Sequence, residues 1–514
     1  MKKIILFKLF LFSLLSVKSQ VIFQKMYGMG GWQGATFVKQ TNDGGYIMTG
    51  YTRGNLPPTA MYIVKTNAYG GLLWSKSYND ILDCQVNYLL ELPDGGFIIT
   101  RYTQTDCYRI YLSKIDSLGN TLWEKTYSRN AHETGQCVIH TTDNGFLIIS
   151  RTDSPTTAQD LMVVKTDSTG NMLWSKVYEG GVYEGGDDGN ILEMSDGYMI
   201  CSERTVSKRD VYLLKIDFNG HVQWSKTFDT GEHDYFTRFI KTSDGNLVLL
   251  GYIDAFPVLP HPFLLKMDPS GTILWSKKYE TGFNTSPADI KETLNGELAI
   301  TGSIWDAASG TYNSHFLKTD SLGNLLHSKT YGTLTNTMSI DNTADGGFVI
   351  AGVKTIGSGD TDCYLVKTNS SGNSGCDQAD ISVNIQPISF VTTNVITTQV
   401  NEGSQYPFTT TIGEGGNETT LCFSLNNIQD EIPETILLAY PNPFSSYATI
   451  EFDIDLMPEK LVLFNAVGAQ VVDLNEINEN KITFQRGNLP NGVYYLCAYK
   501  DGLRAQPFKL IISD

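Results

Sequence analysis

The chain has 514 residues, a formal net charge of −17 at pH 7, and 48 Gly, 27 Tyr and 24 Phe. Such an acidic surface excludes nucleic acid and anionic membrane as expected partners, because phosphate binding needs a basic patch. Val, Ile and Thr recur with these residues, and no long stretch has a 3.6-residue apolar period. A chain of this length and pattern reads as all-β and built from repeats.

At the N-terminus, Lys2 and Lys3 precede an apolar run from Ile4 to Leu15 that only Lys8 interrupts. Val17 and Ser19 suit positions −3 and −1 of a cleavage site, so residues 1–19 are predicted to be a secretory signal peptide, with Gln20 as the new N-terminus. The run is shorter than the roughly 20 apolar residues that cross a bilayer. No cysteine follows closely enough for a lipid anchor, and no second apolar span is present, so a soluble mature protein without a membrane span is expected. Loss of Lys2, Lys3, Lys8 and Lys18 moves the charge to about −21.

From there one phrase recurs: a strand, then Lys-Thr/Ile-Asp-x-x-Gly-Asn, then Leu-Trp-Ser-Lys-x-Tyr. Its Lys falls at 65, 114, 165, 215, 266, 318 and 367, and its Trp at 74, 123, 174, 224 and 275, with His327 in the sixth copy. An Asp-Gly-Gly-aromatic phrase, or a variant of it, starts at Asp43, Asp94, Asp143, Asp196, Asp244, Asn295 and Asp345, and the fourth copy, Asp196-Gly197-Tyr198, is shorter by its second Gly. Fifty residues and four strands, A to D, per unit are the signature of propeller blades. In the second copy strand A is predicted over 86–92, B over 97–102, C over 110–115 and D over 121–127, with Asp/Asn-Gly turns whose Gly supplies φ > 0. The seventh copy ends at Ser374-Gly375-Cys376 without its fourth strand. Phe23-Gln24-Lys25-Met26-Tyr27-Gly28 carries the missing phrase, so the N-terminal strand should complete the last blade. Residues 20–375 are similar to the seven-bladed β-propeller repeats of bacterial surface proteins.

Residues 376–435 lose the repeat and read as a β-rich linker or small module. Of the eight cysteines, Cys84, Cys107, Cys137, Cys201 and Cys363 sit at non-equivalent repeat positions, and Cys497 lies near the end. None has the CxxC spacing of a zinc site. Cys376 and Cys422 flank the linking segment and are the pair expected to form a disulfide, worth roughly 4 kcal/mol by loop-closure entropy.

Over 436–514, Tyr440-Pro441-Asn442-Pro443-Phe444, Gly468, Gly492-Val493-Tyr494-Tyr495 and a Lys-flanked apolar end punctuate alternating strands, as in a small Ig-like β-sandwich. The order of these phrases resembles the type A sorting domain of the type IX (Por) secretion system. The resemblance implies the type IX machinery as a partner, passage through the outer membrane via the periplasm, and a secreted or cell-surface destination. It also implies removal of the domain, followed by attachment to surface lipopolysaccharide or release.

Residues common to all blades serve the fold, so a site is sought where the blades differ. The B–C and D–A connections share one face. They carry His132-Glu133, Tyr183-Glu184, Asp187-Asp188 and Glu232-His233-Asp234-Tyr235. Strand B is expected to end in Gly50, Gly251, Gly302 and Gly352 in four blades, but in Arg101, Ser150-Arg151 and Ser202-Glu203-Arg204 in the second to fourth. Arg101, His132, Glu133, Arg151, Arg204, Glu232 and His233 are therefore the candidate ligand-binding set, for a sugar or a divalent cation. The alternative for the same residues is a solvated face with local ion pairs. Phe256, Trp305 and Tyr312 add aromatics beside the B–C loops of blades five and six. There is no Gly-x-Ser-x-Gly elbow, His-Glu-x-x-His, phosphate loop or EF-hand loop, and no catalytic residue, cofactor or metal ligand set is singled out. The expectation is a monomeric, non-catalytic binding or adhesion module for an extracellular glycan or protein. The alternatives are a secreted polysaccharide hydrolase or lyase, whose residues would be scattered over blades, and a passive structural surface component.

Overall fold

The computed structural model describes residues 20–426 and 436–514, apart from 55–58, 80–83, 104–108, 130, 154–158, 180–189, 255–258, 334, 358, 408–410, 453–457, 466–469, 476, 478, 501–502 and 505–507. The expected signal peptide, Tyr183-Glu184, Asp187-Asp188, Phe256, Cys107 and Gly468 lie outside these residues. Every regular element among the described residues is a strand. The chain divides into two compact units, one spanning Ile22–Ser424 and the other containing Leu425–Asp514.

In the first unit each repeat is an antiparallel meander of strands A to D. The second repeat, for example, runs Cys84–Glu91, Phe97–Thr103, Arg109–Ile115 and Thr121–Ser128. The seventh repeat supplies three strands, and Gln20–Gly28 pairs antiparallel with its strand C, Asp360–Thr368, from Phe23↔Lys367 to Tyr27↔Cys363. A parallel bridge, Trp32 to Thr361, joins the seventh sheet to the first. The A strands of consecutive repeats touch one another, and that of the seventh touches that of the first.

The repeated phrases are spent on holding this arrangement. Each repeat lysine, buried except for the half-buried Lys114, pairs with an acid of its own A–B turn: Lys65 with Asp43 at 2.7 Å, Lys114 with Asp94 at 2.6 Å, Lys165 with Asp143 at 2.9 Å, Lys266 with Asp244 at 2.7 Å and Lys367 with Asp345 at 2.9 Å, while Lys215 meets Asp196. Where the sixth copy has Asn295, Glu297 takes over and pairs with Lys318 at 2.7 Å.

The repeat tyrosine reaches the next sheet. Tyr78 donates to Gly119 O (2.6 Å), Tyr127 to Gly170 O (2.6 Å), Tyr178 to Gly220 O (2.8 Å), Tyr279 to Gly323 O (2.9 Å) and Tyr331 to Gly372 O (2.6 Å). Tyr27, on the N-terminal strand, donates to Gly70 O of the first repeat at 2.5 Å. The repeat Trp lies against the same turn glycine, so that a Cβ on Gly119 (φ +78°) would sit 3.0 Å from the Trp74 ring. At Gly70 the ring is Phe23, and at Gly372, the turn His327 would face, it is Phe316.

Residues 376–424, read from the sequence as a linker or small module, add one antiparallel strand to the outer edge of each sheet, in reverse order of the repeats. Gln378–Asp380, Asn384–Pro387, Val391–Asn394, Thr398–Asn401, Ser404–Pro407 and Thr411–Glu414 pair with the D strands of repeats six to one. The last, Asn417–Asn426, pairs with the N-terminal strand Gln20–Gly28. The expected disulfide joins Cys376 to Cys422.

The second unit has two sheets. Ile436–Tyr440, Tyr447–Phe452 and Lys481–Gln485 form one; Gln470–Asn475, Lys460–Asn465, Gly492–Lys500, Leu503–Arg504 and Phe508–Ile512 form the other. Both contribute to one core, which includes Ile450, Phe452, Leu463, Phe484, Leu496 and Leu510. The Tyr440-Pro441-Asn442-Pro443-Phe444 phrase is stitched to the last strand. The Asn442 amide donates to Lys509 O and accepts from Ile511 N–H, each at 2.8 Å, and Phe444 is buried in the core. Tyr494 is also buried and donates to Pro490 O at 2.8 Å, whereas Tyr440 and Gly492 lie at the surface.

Candidate functional site

Strand register explains where the candidate residues go. Arg101, Arg151 and Arg204 lie within their B strands, Phe97–Thr103, Phe146–Asp153 and Gly197–Thr205, not after them. They also occupy different levels. Arg101 stands opposite Tyr111 where Gly50 stands opposite Tyr62, Arg151 is one residue further on, and Arg204 pairs with Asp210 near the strand end. Glycine recurs at the first of these levels because a bulge in strand A pushes its backbone there: a Cβ on Gly50 would lie 1.8 Å from Gly34 O.

Arg101 is wholly buried inside its own sheet. Its Nη2 meets Glu124 Oε1 at 2.8 Å, Ser113 Oγ donates to the same oxygen at 2.9 Å, and the guanidinium lies 5.1 Å from the Tyr111 ring centroid. Glu133 is also buried. It accepts from Ser128 Oγ (2.8 Å) and from the N–H groups of Arg129 (3.0 Å) and Ala131 (3.2 Å), capping the D–A turn. Burial pushes its carboxyl above the ordinary value, against the pull of these hydrogen bonds. His132 is exposed, just before the first strand of the third sheet, and Arg151 is half-buried within that sheet.

The remaining candidates, Arg204, Glu232 and His233, come together where the fourth repeat passes into the fifth. Asp210 is the second residue of strand C (Arg209–Ile216), Asp229 closes strand D (Val222–Asp229) and Asp234 is the second residue of the next strand A (His233–Lys241). Carboxylate oxygens of these three lie within 4.8 Å of one another. Asp234 is fully buried and caps the turn as Glu133 does, accepting from Thr230 N–H and Thr230 Oγ1 at 2.7 Å each.

Burial pushes the Asp234 carboxyl up to about 7, with Asp229 and Asp210 adding repulsion. Burial and Asp229 push Asp210 up to about 6, opposed by Arg204, His233 and Lys208. Around the acids, Lys208 lies 3.8 Å from Glu232, and Arg209 N–H donates to His233 Nδ1 at 3.2 Å. The Arg209 guanidinium covers Tyr235 at 4.7 Å, and Tyr235 stacks flat on Tyr252 at 4.5 Å. Chemically, the cluster offers carboxyls that hold protons near neutrality, three hard oxygens suited to a divalent cation, and flanking cations suited to an anion. Asp210 and Asp229 were missed from the sequence. The signal for Asp210 was the column five residues before the repeat Lys (Ala60, Arg109, Asp160, Asp210, His261, Asn313, Asp362), which is variable and mostly polar.

A second polar cluster lies where the A strands meet. Arg238 Nε is 3.3 Å from Asp289 Oδ1, Lys291 Nζ is 3.2 Å from Asp289, and Ser339 Oγ and Ile340 N–H donate to Asp289 Oδ2 at 3.0 and 3.1 Å. Burial raises the Asp289 carboxyl, but Lys291 and Arg238 outweigh it and hold it below its ordinary value. These groups satisfy one another and act as structure. The aromatics Trp305 and Tyr312 pair at 4.6 Å in the sixth sheet, with Tyr312 exposed.

The chain is thus a β-repeat protein carrying a small C-terminal β-domain, and comparison assigns that domain. Residues 438–513 match the family described as secretion system C-terminal sorting domain. The protein is therefore directed out of the cell or to its outer surface by that secretion system. Among the described residues no helix is long and apolar enough to cross a membrane. No curated protein matches the chain.

Among solved structures it is similar to a protein of unknown function from Dyadobacter fermentans (10% identity, 68% of this chain and 98% of that one, TM-score 0.38). It is also similar to an ulvan lyase of a new polysaccharide lyase family (9%, 68% and 96%, TM-score 0.44). A third is the extracellular domain of a putative hybrid two-component system from B. thetaiotaomicron (10%, 95% and 99%, TM-score 0.19). At these scores neither fold detail nor activity follows from the likeness.

Proposed function

We propose that the seven sheets are the blades of a β-propeller closed by the N-terminal strand, and that this propeller is an exported, non-catalytic binding or adhesion module for an extracellular glycan or protein. Residues 1–19 would direct the first export step as a signal peptide, and the sorting domain the second. The ring reading is supported by the Tyr27-to-Gly70 hydrogen bond, which repeats between the seventh and first sheets the link made between others. The binding reading is carried by a division of labour. The A–B and C–D turns are nearly identical and consumed by Lys–acid and Tyr–Gly pairs, whereas the opposite strand ends differ from blade to blade and present exposed or half-buried Arg204, Glu232, His233, His132 and Tyr312. Arg101 and Glu133, engaged inside their sheets, would support this rim rather than touch a ligand.

The test is a glycan array, run beside a polysaccharide-degradation screen, on purified residues 20–430. Binding lost in His233→Ala but kept in Arg53→Ala supports the rim; equal retention in both refutes it. A secreted hydrolase or lyase is the second reading, favoured by one observation: Asp234, pushed up to about 7, and Asp210, pushed up to about 6, lie beside Asp229. A soluble sugar product abolished by Asp234→Asn would establish that reading instead.

A further inference from the structure

The outer strands of residues 378–426 begin at 378, 384, 391, 398, 404, 411 and 417, one every six or seven residues, and each meets a different sheet. They dock on the repeat phrase itself. The Ser after the Trp donates to their carbonyls: Ser276 to Ile388 O at 2.7 Å, Ser225 to Val395 O at 2.8 Å, and Ser75 to Gly415 O. Their own side chains bridge to the neighbouring sheet. Gln405, laid on sheet two, accepts from Met172 N–H of sheet three, and Gln399, on sheet three, from Val222 N–H of sheet four, each at 2.7 Å. Arg129 meets Glu402 at 3.0 Å.

The two ends converge on the N-terminal strand. Its Gln24 donates to Ser374 Oγ at 2.9 Å and to Cys376 O at 2.6 Å, and its Lys25 pairs with Glu418. Glu418 also accepts from Leu72 N–H of the first sheet at 2.7 Å. Cys376, where the segment begins, is bonded to Cys422 in the strand that covers Gln20–Gly28. Both half-cystines are half-buried.

We propose that residues 376–424 are a redox-sealed belt, and that the Cys376–Cys422 bond latches the N-terminal strand into the ring. Without the latch the belt can peel from its Cys422 end, which would leave Asp360–Thr368 as the one strand paired with the N-terminal strand, beside the side-chain bonds of Gln24 and Tyr27. Sealing forms one S–S bond from two thiols, passing two electrons and two protons to a disulfide-donating oxidant. A dithiol reverses it, becoming a cyclic disulfide as the two cysteines regain their protons. The proposal rests on the ring reading.

The test is hydrogen exchange by mass spectrometry on residues 20–514, oxidised and after dithiothreitol, with alkylation confirming reduction at Cys376 and Cys422. Peptides from 404–424 and 20–28 should exchange at least tenfold faster after reduction, while the B strands keep their protection. Unchanged exchange at 404–424 and 20–28, or simultaneous loss of protection in every sheet, overturns the latch. Cys422→Ser should reproduce the reduced pattern. Because reduction is applied to folded protein, a variant that fails to fold leaves the result intact. Averaged electron-microscope images of the oxidised protein separate the two failures: no sevenfold ring refutes the ring reading, and a ring with unchanged exchange refutes the latch alone.

Discussion

The Arg101–Glu124 pair tests whether the second repeat differs from its neighbours for structure or for a ligand. Both side chains are buried, with 0% and 2% of their areas exposed, at 2.8 Å. Arg101→Gly would strand the Glu124 carboxylate, and Glu124→Ser would strand the guanidinium. Removing one partner of a buried pair costs about 3–5 kcal/mol, so each single change should destabilise by that amount. The double variant Arg101→Gly/Glu124→Ser restores the combination that the first and fifth repeats carry as Gly50 with Ser75 and Gly251 with Ser276. Replacing both charges removes the desolvation cost along with the attraction, and the cavity left by Arg101 takes back part of the gain. The double variant should therefore lose less than either single one, giving a coupling of at least about 2 kcal/mol. Urea unfolding of residues 20–430, followed by both tryptophan fluorescence and circular dichroism, measures this where the two transitions coincide. Losses that simply add would refute the account and return Arg101 to the candidates for ligand binding.

Other perturbations have equally definite outcomes. Asp234 holds its proton more tightly folded (about 7) than unfolded (3.8), so its contribution to stability is complete below about pH 4 and is lost as pH rises through 7. Asp234→Asn should flatten that decline, by on the order of 4 kcal/mol between pH 4 and 7.5 in denaturant titrations; an unchanged slope would show that Asp234 is not its source. Tyr27→Phe should cost about 1 kcal/mol by removing the bond to Gly70. Gly70→Ala should cost clearly more than Gly44→Ala. Both need positive φ, but only at Gly70 does a ring, Phe23, lie 2.7 Å from the new Cβ, and equal melting temperatures would refute the inter-sheet contact. Deleting residues 436–514 should leave a folded protein in the periplasm, and fractionation that finds it at the surface would remove the export role of that domain.

Repetition made much of this protein legible from its sequence. A fifty-residue period, Asp-Gly turns and alternating apolar strands identified strands A to D and the completion of the seventh sheet by Phe23–Gly28, and the position of Cys376 and Cys422 on either side of the linking segment pointed to their bond. The Tyr-Pro-Asn-Pro phrase likewise carried the export address, because a sorting signal must be read in chain order. Tertiary structure alone decided which rim residues meet. Whether an arginine reaches solvent depends on its level along a strand, and a bulge in the partner strand sets that level, so Arg101 turned inward to Glu124 while Arg204 came beside Asp210. It also decided the fate of residues 376–424, whose Thr-, Val- and Asn-rich sequence has no strong hydrophobic alternation. Their strands exist because seven exposed sheet edges offer unpaired N–H and C=O groups, and those partners lie between 50 and about 400 residues away in the chain.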